Sequence, residues 1–530
     1  MSCTTSSSKG RKYQPELLFD SKGGFVSIME AEGPFGVPVP EGQHDATLKA
    51  GELNLFDSTA VAVSSVAPTY SLATVAVLLF ATAGVGYFGP AIIEISFVPV
   101  LFIAISYFHL NRRDPDCGAS YSWLSKFMSP YMGWFNGWVQ VVTSALFCIV
   151  APVTAAQNTL QFFQEQNWIT VSQFNNLWLQ AVVAALWLVI VTAICILGIR
   201  YTTNFQWVLV IIEYVCVMGF SIWGIIKVAV SHPAGTVGFH MSWINPLSIK
   251  SFGALSTGLV LGVFFFWGWD TAVNLNEESK NSSKIPGQAG IISMFLLLLI
   301  FVMNIVALQM WVPQKEFINL SNSSNPTTVM LYFAQHAVGH WAYFVMLAAV
   351  LSSTVATTQT TLLPAARITL SMARDRVWPR LFKVIDPKRQ NPIVGTLVIA
   401  IVCLLGIFIT QGNSSVNNVF AKMVGDVGVL IAFYYGMTGI TCAWAYRRVA
   451  FQKFGFFFTG FLLPLAAGIV LLWVGYQVVS QSGLTYSVPI LITFALGIPL
   501  VILTRFVTKG NFFKTKIVVF DTIEHEQEVG

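Results

Sequence analysis

About twelve apolar runs of roughly 20 residues follow one another along this 530-residue chain. Only 10% of its residues are charged, whereas a soluble globular domain carries about 25%. Runs of this length cross a bilayer as helices, because membrane strands are about half as long and alternate in polarity. The sequence therefore predicts an all-α membrane protein with about twelve transmembrane helices. They are predicted near residues 58–83, 88–110, 130–160, 177–198, 203–229, 252–276, 288–312, 328–356, 393–411, 417–446, 456–480 and 486–507.

The lysines and arginines are distributed unevenly between the two sides of this arrangement. If the amino terminus is inside, most basic residues fall in cytoplasmic loops, including the run from Arg374 to Arg389. Positive charge is typical of cytoplasmic loops, so both termini are predicted to be cytoplasmic in a multi-pass protein of the cell membrane. The predicted outer side keeps only four lysines: Lys227, Lys250, Lys315 and Lys422.

The two ends of the chain differ from the apolar region. Residues 1–52 are rich in serine at first and then in glycine and proline, and they contain no apolar run of signal-peptide length. Such a segment cannot build a core, so it is predicted to be a disordered cytoplasmic tail. We expect one transmembrane domain over residues 53–507 and a short cytoplasmic tail over 508–530.

Two of the predicted spans contain residues that interrupt a helix. Pro68 lies in the first span among serines and threonines, and it lacks the backbone N–H that a continuous helix requires. Gly268 lies in the sixth span between two tryptophans, and the ionisable Asp270 follows it. A carboxylate at membrane depth is costly unless it faces a cavity or a partner. Paired interruptions of this kind are typical of a transporter, and we expect both to line one binding site at the bilayer midplane.

Three motifs resemble those of the amino acid–polyamine–organocation permease superfamily. They are the loop at 111–123, similar to R-x-P-x-G-G-x-Y, the segment 264–286, similar to F-x-G-F-E/D…E-E-x-K-N…P, and the end of the eighth span at 364–379. The resemblance implies an inverted five-plus-five repeat in which helices 1 and 6 are discontinuous at the substrate. The chain departs from typical amino acid permeases in the first span, where their Gly-Ser/Thr-Gly turn is replaced by Ser64–Ser71.

The candidate substrate residues come from both interruptions and from the tenth span. Asp270 is expected to orient the unwound turn or to contact a substrate ammonium, and capping of the restarting helix is the structural alternative. Trp267 and Trp269 are expected to stack on a cation or to gate the pocket, with packing as their alternative. The full set is Ser64, Ser65, Ala67, Pro68, Thr69, Ser71, Phe266, Trp267, Gly268, Trp269, Asp270 and Tyr434.

Glu213 stands alone in the apolar fifth span. Some relatives carry a lysine at the matching position, and a buried carboxylate that changes its access can take up a proton. Glu213 is therefore the candidate for coupling transport to protons, with a structural hydrogen bond as its alternative. Sodium coupling through Ser352, Ser353 and Thr354 is less favoured, because serines and threonines also pack between membrane helices. No metal or cofactor is expected.

The sequence thus predicts a secondary active transporter that imports an amino acid or a related organic amine, coupled to protons. A polyamine transporter, or another carboxylate-free amine transporter or exchanger of the same fold, is the closest alternative. A non-transporting membrane sensor is the alternative from another class. An enzyme is not predicted, because no pair of catalytic groups at membrane depth is evident. Nucleic acid is not an expected partner, and the oligomeric state stays open.

Overall fold

The computed structural model describes residues 47–82, 84–249, 251–321, 328–411, 416–486, 488–508 and 510–522. Within these ranges the secondary structure is helical, and the β pairing is limited to two isolated bridges, Leu53 with Ser279 and Asp386 with Asn391. The predicted amino-terminal tail lies outside the described residues except for residues 47–52, and residues 523–530 of the carboxyl-terminal tail also lie outside them.

Fourteen of the described helices build the membrane region and the site. In chain order they are α1 (Leu55–Val66), α2 (Pro68–Ala81), α3 (Gly89–Arg113), α4 (Ser120–Phe127), α5 (Pro130–Glu165), α6 (Leu177–Leu197), α7 (Ile199–Ser231), α8 (Phe252–Phe265), α9 (Ile285–Trp311), α10 (His340–Arg374), α11 (Ile393–Gln411), α12 (Val416–Tyr446), α13 (Leu463–Tyr486) and α14 (Val488–Val507).

Eleven stretches of the described chain are long and apolar enough to cross a membrane. They are built on α1 together with α2, and on α3, α5, α6, α7, α9, α10, α11, α12, α13 and α14. The remaining predicted span corresponds to α8, which is apolar but has only 14 residues because it ends where the sixth span is interrupted. The prediction of an all-α membrane protein with about twelve spans is therefore confirmed, whereas the inverted repeat stays a prediction.

The first interruption separates α1 from α2 at a single residue, Ala67. This residue has a left-handed conformation, with φ of 49° and ψ of 68°, and α2 begins directly after it with Pro68. Proline suits the first position of a helix, where its missing N–H would have no partner in any case. The Ser71 hydroxyl donates to the carbonyl oxygen of Val66 at 3.0 Å, so the break also provides a partner for the end of α1.

The second interruption is longer and ends α8 at Phe265. Gly268 has a φ of 119°, a conformation that a residue with a side chain rarely adopts. A single helical turn at Thr271–Asn274 and a 3₁₀ turn at Asn276–Glu278 follow before α9 begins. The predicted helix over 252–276 therefore ends about ten residues early, because Gly268 redirects the chain.

The helices α5 and α10 are the longest, with 36 and 35 residues, and they pack against each other. Both helices are largely buried, and α10 also contacts α1, α2 and α7. They bring their polar faces beside the two interruptions, which positions the candidate site.

Candidate substrate site

The two interrupted segments are in direct contact. A Cβ atom placed on Gly268 would lie 2.7 Å from the carbonyl oxygen of Ser65, so only glycine permits this approach. The hydroxyl groups of Ser65 and Thr271 form a hydrogen bond of 2.8 Å across the two segments. Thr357 of α10 donates its hydroxyl to the same Ser65 carbonyl at 2.9 Å. The interruptions that the sequence predicts at separate places therefore form one structural unit with α10.

Glu213 of α7 reaches the amino terminus of α2. Its Oε1 atom accepts a hydrogen bond of 2.8 Å from the Thr69 backbone N–H and another of 2.8 Å from the Ser353 hydroxyl. The Ser353 oxygen in turn accepts the Tyr70 backbone N–H at 3.1 Å. No side chain at Ala67 caps this helix. Glu213 is fully buried, and it caps α2 from a distant part of the chain, where a carboxylate also favours the helix dipole.

Asp270 faces the tyrosines of α12. Its Oδ1 atom accepts the Tyr435 hydroxyl at 3.0 Å, and its Oδ2 atom accepts the Tyr434 hydroxyl at 3.3 Å. Tyr434 also accepts the indole N–H of Trp267 at 2.5 Å. The side chain of Asp270 makes no capping hydrogen bond to the turn at Thr271–Asn274. The capping alternative therefore does not describe this carboxylate, which is tied to α12 instead.

A small polar cavity lies beside both interruptions. Its volume is about 20 Å³, enough for about one water molecule and too small for an amino acid. Asp270 is the one charged side chain among the described residues that line it. The full lining is Ser65, Gln140, Ser144, Trp267, Gly268, Asp270, Thr271, Asn274, Thr361, Pro364, Ile368 and Tyr434.

Some of the predicted site residues line this cavity and others support it. The cavity-lining ones are Ser65, Trp267, Gly268, Asp270 and Tyr434. Ala67 and Pro68 form the first break, and Thr69 donates its backbone N–H to Glu213. The hydroxyls of Ser71 and Ser64 donate to the carbonyl oxygens of Val66 and Val61. The two aromatic residues pack in the interior, Phe266 on Phe97 and Phe301 and Trp269 on Tyr107 and Tyr435.

Five polar cavity residues were not singled out by the sequence analysis: Gln140, Ser144, Thr271, Asn274 and Thr361. Gln140 and Ser144 lie four residues apart on α5, so they share one face of that helix. Thr361 ends a run of α10, from Ser352 onward, that is rich in serine and threonine. A polar stripe within an apolar helix is the signal that would have identified these residues.

Beyond the second interruption lies a pair of buried opposite charges. Arg367 of α10 donates from Nε to Glu278 Oε2 at 2.7 Å and from Nη2 to Oε1 at 2.8 Å. Both side chains are almost completely buried. A two-point guanidinium–carboxylate contact of this kind is strong and directional. The pair therefore fixes the exit of the second interruption to α10.

Further charges surround this pair, and together we call them the ionic layer: Asp114, Asp116, Lys126, Glu277, Glu278, Arg367 and Arg374. Burial alone would raise the pKa of Asp116, but Lys126 and hydrogen bonds from Ser122, Gly118 and Ser371 outweigh burial and hold that pKa below its ordinary value. The carboxylate of Asp116 is therefore ionised at neutral pH and connects α4, through Ser122, with α10, through Ser371.

Asp116, Cys117 and Glu277 bring three possible metal-ligand atoms within 4.8 Å of one another. The guanidinium of Arg374 already lies there, 2.8 Å from Glu277 Oε1 and 3.6 Å from the Cys117 sulfur. A positive charge is thus in place, and a cation would have to displace it. The arrangement is that of an ion pair rather than of a metal site.

The sequence profile of the amino acid permease family matches residues 53–519. The chain belongs to this family, within the amino acid–polyamine–organocation superfamily. The match spans all fourteen helices, so the contacts described above are those of a permease. The chain is accordingly a multi-pass membrane protein and a transporter of amino acids or amines.

Individual relatives of the permease differ in their substrates. It is 25% identical over 395 residues to the low-affinity putrescine importer PlaP of Escherichia coli strain K12, which covers 73% of this chain and 81% of the relative. It is 27% identical over 371 residues to the mitochondrial cationic amino acid transporter 3 of Arabidopsis thaliana, covering 67% and 57%. It is also 24% identical over 359 residues to the probable amino-acid permease meu22 of Schizosaccharomyces pombe, covering 66% and 60%.

Proposed function

We propose that this permease is a secondary active transporter that imports an amino acid or a related organic amine across the plasma membrane by alternating access. The observation that carries the proposal is the contact between the two interruptions, beside a polar cavity whose described lining has one charged side chain, Asp270. In transporters, discontinuous helices bind substrate at such a point because their exposed ends provide polar groups at membrane depth.

Alternating access is supported by what lies on either side of the cavity. On one side, Trp267 donates to Tyr434 and packs edge-on against Phe147, with 5.1 Å between the ring centroids. On the other side, the ionic layer holds Arg367 against Glu278. Because the cavity is too small for an amino acid, substrate must enter by opening one of these two closures. Opening them in turn would expose the site first to one side of the membrane and then to the other.

Proton coupling is proposed for Glu213. When it is ionised, the carboxylate accepts strong hydrogen bonds from the Thr69 N–H and the Ser353 hydroxyl, so it ties α7, α10 and α2 together. A proton on this carboxylate would weaken both bonds and loosen the amino terminus of α2. If the two access states differ in this contact, they differ in proton affinity, and only such a difference can drive transport.

The test uses the full chain purified and reconstituted in liposomes, with labelled putrescine, arginine, lysine and leucine as probes. An inward proton gradient should drive accumulation of at least one probe, and collapse of the gradient should abolish that accumulation. Uptake that requires sodium and ignores pH would overturn the coupling, whereas no uptake and no exchange of any cationic or neutral probe would overturn the transport function.

A pair of variants assigns the coupling to its residue. Glu213→Gln should abolish accumulation driven by the pH gradient while exchange of substrate across the membrane survives. Glu94→Gln is the matched control, because Glu94 is a carboxylate of α3 that lies outside the cavity lining. Gradient-driven accumulation that is equal in both variants would remove Glu213 from the coupling mechanism.

A further inference from the structure

The amino terminus of α2 is the place where a transporter with discontinuous helices would offer bare backbone amides to a substrate carboxylate. Here the N–H groups of that turn all have partners within the protein. Ala67 donates to the Ser64 carbonyl at 3.1 Å, and Ser71 donates to the Ala67 carbonyl at 2.9 Å. Pro68 has no N–H to offer. Thr69 and Tyr70 remain, and both are already used.

The N–H groups of Thr69 and Tyr70 would suit an anionic ligand, and the protein provides that anion itself, as the carboxylate of Glu213. Thr69 donates directly to the Glu213 carboxylate at 2.8 Å. Tyr70 donates to Ser353, whose hydroxyl passes the contact on to the same carboxylate oxygen. The carboxylate that this helix terminus favours is therefore a side chain of α7. A substrate carboxylate would have to displace it.

The cavity offers no charged replacement for these amides. Among the described residues that line it, none is a lysine, arginine or histidine, and Asp270 carries the one charge. The neutral donors are partly committed as well, because the amides of Gln140 and Asn274 donate to the carbonyls of Asn136 and Cys117. A buried carboxylate without a positive partner is costly, and one beside another carboxylate more so.

The same cavity favours a cation, because a carboxylate and aromatic rings line it. Asp270 presents its carboxylate to the cavity, and its hydrogen-bond partners, the hydroxyls of Tyr434 and Tyr435 and two nearby backbone N–H groups, are all neutral donors that leave its negative charge unpaired. Trp267 and Tyr434 line the cavity beside it, and aromatic faces attract organic cations. We infer that the substrate is an organic amine that has an ammonium group and no α-carboxylate.

This inference rests on the proposed transport function and narrows its substrate class. The ammonium binds at Asp270 between aromatic rings, while Glu213 takes the place at α2 that the carboxylate of an amino acid would need. An α-amino acid, the kind of substrate in the name of the cationic amino acid transporter among the relatives, becomes the alternative outcome of the test.

The test compares each amino acid with the amine that remains when its carboxylate is removed. The probes are putrescine with ornithine, cadaverine with lysine, agmatine with arginine, and tyramine with tyrosine. Binding is measured on the purified full chain in detergent by thermal stabilisation, without any ion gradient. The amine of the best-binding pair should bind at least about tenfold more tightly than its amino acid, because the amino acid buries an unpaired charge.

The carboxamides of the same amino acids separate charge from size. Lysinamide and argininamide keep the volume of the amino acid but lose the negative charge, so they should bind more tightly than lysine and arginine. If carboxamide and amino acid bind equally and both more weakly than the amine, size rather than charge excludes the amino acid, and the charge argument from the occupied amides is overturned.

A variant of α10 tests the role of the occupied amides. Ser353→Ala removes the partner of the Tyr70 N–H, so it should lower the ratio between the affinities for an amine and for its amino acid. Thr354→Ala is the matched control, because the Thr354 hydroxyl donates only to Val350 within its own helix. An unchanged preference in Ser353→Ala, with normal thermal stability, would show that the occupied amides do not select the substrate.

The outcomes distinguish the inference from the function on which it rests. If amino acids bind as tightly as their amines, the substrate class is wrong while the transport function stands. If no member of any pair binds or is transported, the proposed function itself fails. Loss of pH-driven uptake in Glu213→Gln bears on the coupling, whereas the substrate class is decided by the binding comparison on the unaltered chain, which uses no gradient.

Discussion

The interruptions at Ala67 and Gly268 lie in contact, yet each is held by a different kind of interaction. At Ala67 the exposed helix end is satisfied by Glu213 and Ser353, which come from α7 and α10. At Gly268 the interrupted segment carries its own carboxylate, Asp270, which reaches tyrosines of α12 and lines the cavity. The interruption at Ala67 is therefore hydrogen-bonded to neighbouring helices, and the one at Gly268 presents the charge of Asp270 to the cavity.

This difference separates two tasks that both need a carboxylate at membrane depth. Glu213 is enclosed and hydrogen-bonded to a helix end, so a change in its charge acts on the position of α2. Asp270 borders the cavity, so its charge acts on whatever occupies that space. The proposed coupling of protons to substrate requires both actions, and the contact between the interruptions is the place where one could influence the other.

The largest expected effect concerns the buried ion pair between Arg367 and Glu278, which holds the end of the second interruption against α10. Arg367→Met should lower the free energy of unfolding by about 3–5 kcal/mol, because it leaves the Glu278 carboxylate buried without its partner. Thermal or denaturant unfolding of the purified chain measures this loss. The double variant Arg367→Met with Glu278→Gln should recover much of the stability. A single variant with the stability of the wild type would show that the ion pair does not hold this segment.

The next effect compares the two residues with positive φ at which the helices are interrupted, Gly268 and Ala67. Gly268→Ala should cost about 2–4 kcal/mol of stability and abolish uptake, because its Cβ would lie 2.7 Å from the Ser65 carbonyl and its φ is 119°. The reverse change, Ala67→Gly, should be tolerated or slightly stabilising, since Ala67 is already left-handed with a φ of 49°. Equal tolerance of both changes would contradict the close contact described here.

Asp270→Asn should weaken the binding of an organic cation by about 1–3 kcal/mol, the range for losing a charged hydrogen bond. Tyr435→Phe is the comparison, because it removes a donor to Asp270 and leaves the charge in place. Its effect should be smaller, about 0.5–1.5 kcal/mol. Titration of putrescine or agmatine against the purified variants measures both. Unchanged binding in a correctly folded Asp270→Asn variant would remove this carboxylate from the site.

The sequence allowed both interruptions to be predicted, since proline and glycine act on the backbone at their own positions. It did not reveal what satisfies them, because those partners are distant in the chain: Thr69 and Glu213 are 144 residues apart, and Asp270 and Tyr435 are 165 apart. Hydrogen bonds between helices depend on which faces meet, and periodicity in one helix does not determine that.

The eighth predicted span shows the same limit at its boundaries. A single apolar run predicts one helix from residue 328 onward, whereas the structure has Thr328–Ala337 followed by α10. Gly339, with a φ of 141°, separates them. The basic run from Arg374 to Arg389 predicts only a cytoplasmic loop. The pairing of Arg367 with Glu278 joins residues that are 89 positions apart, so the sequence does not predict it.

The smallest effect concerns the side-chain hydrogen bond between Ser65 and Thr271, which joins the two interruptions. Ser65→Ala removes the 2.8 Å contact with the Thr271 hydroxyl, and one neutral hydrogen bond contributes about 0.5–1.5 kcal/mol to stability. Thr271→Val should cost a similar amount, or more because Thr271 also donates to the Thr360 carbonyl.

The double variant decides whether this bond couples the interruptions. If the two residues act through their shared bond, the double variant should lose less stability than the sum of the single losses, by about 0.5 kcal/mol or more. The same cycle applied to substrate binding measures whether α1 and the second interruption respond to substrate together. Additive losses in both measurements would mean that backbone packing at Gly268, rather than this hydrogen bond, carries the coupling between the two halves of the site.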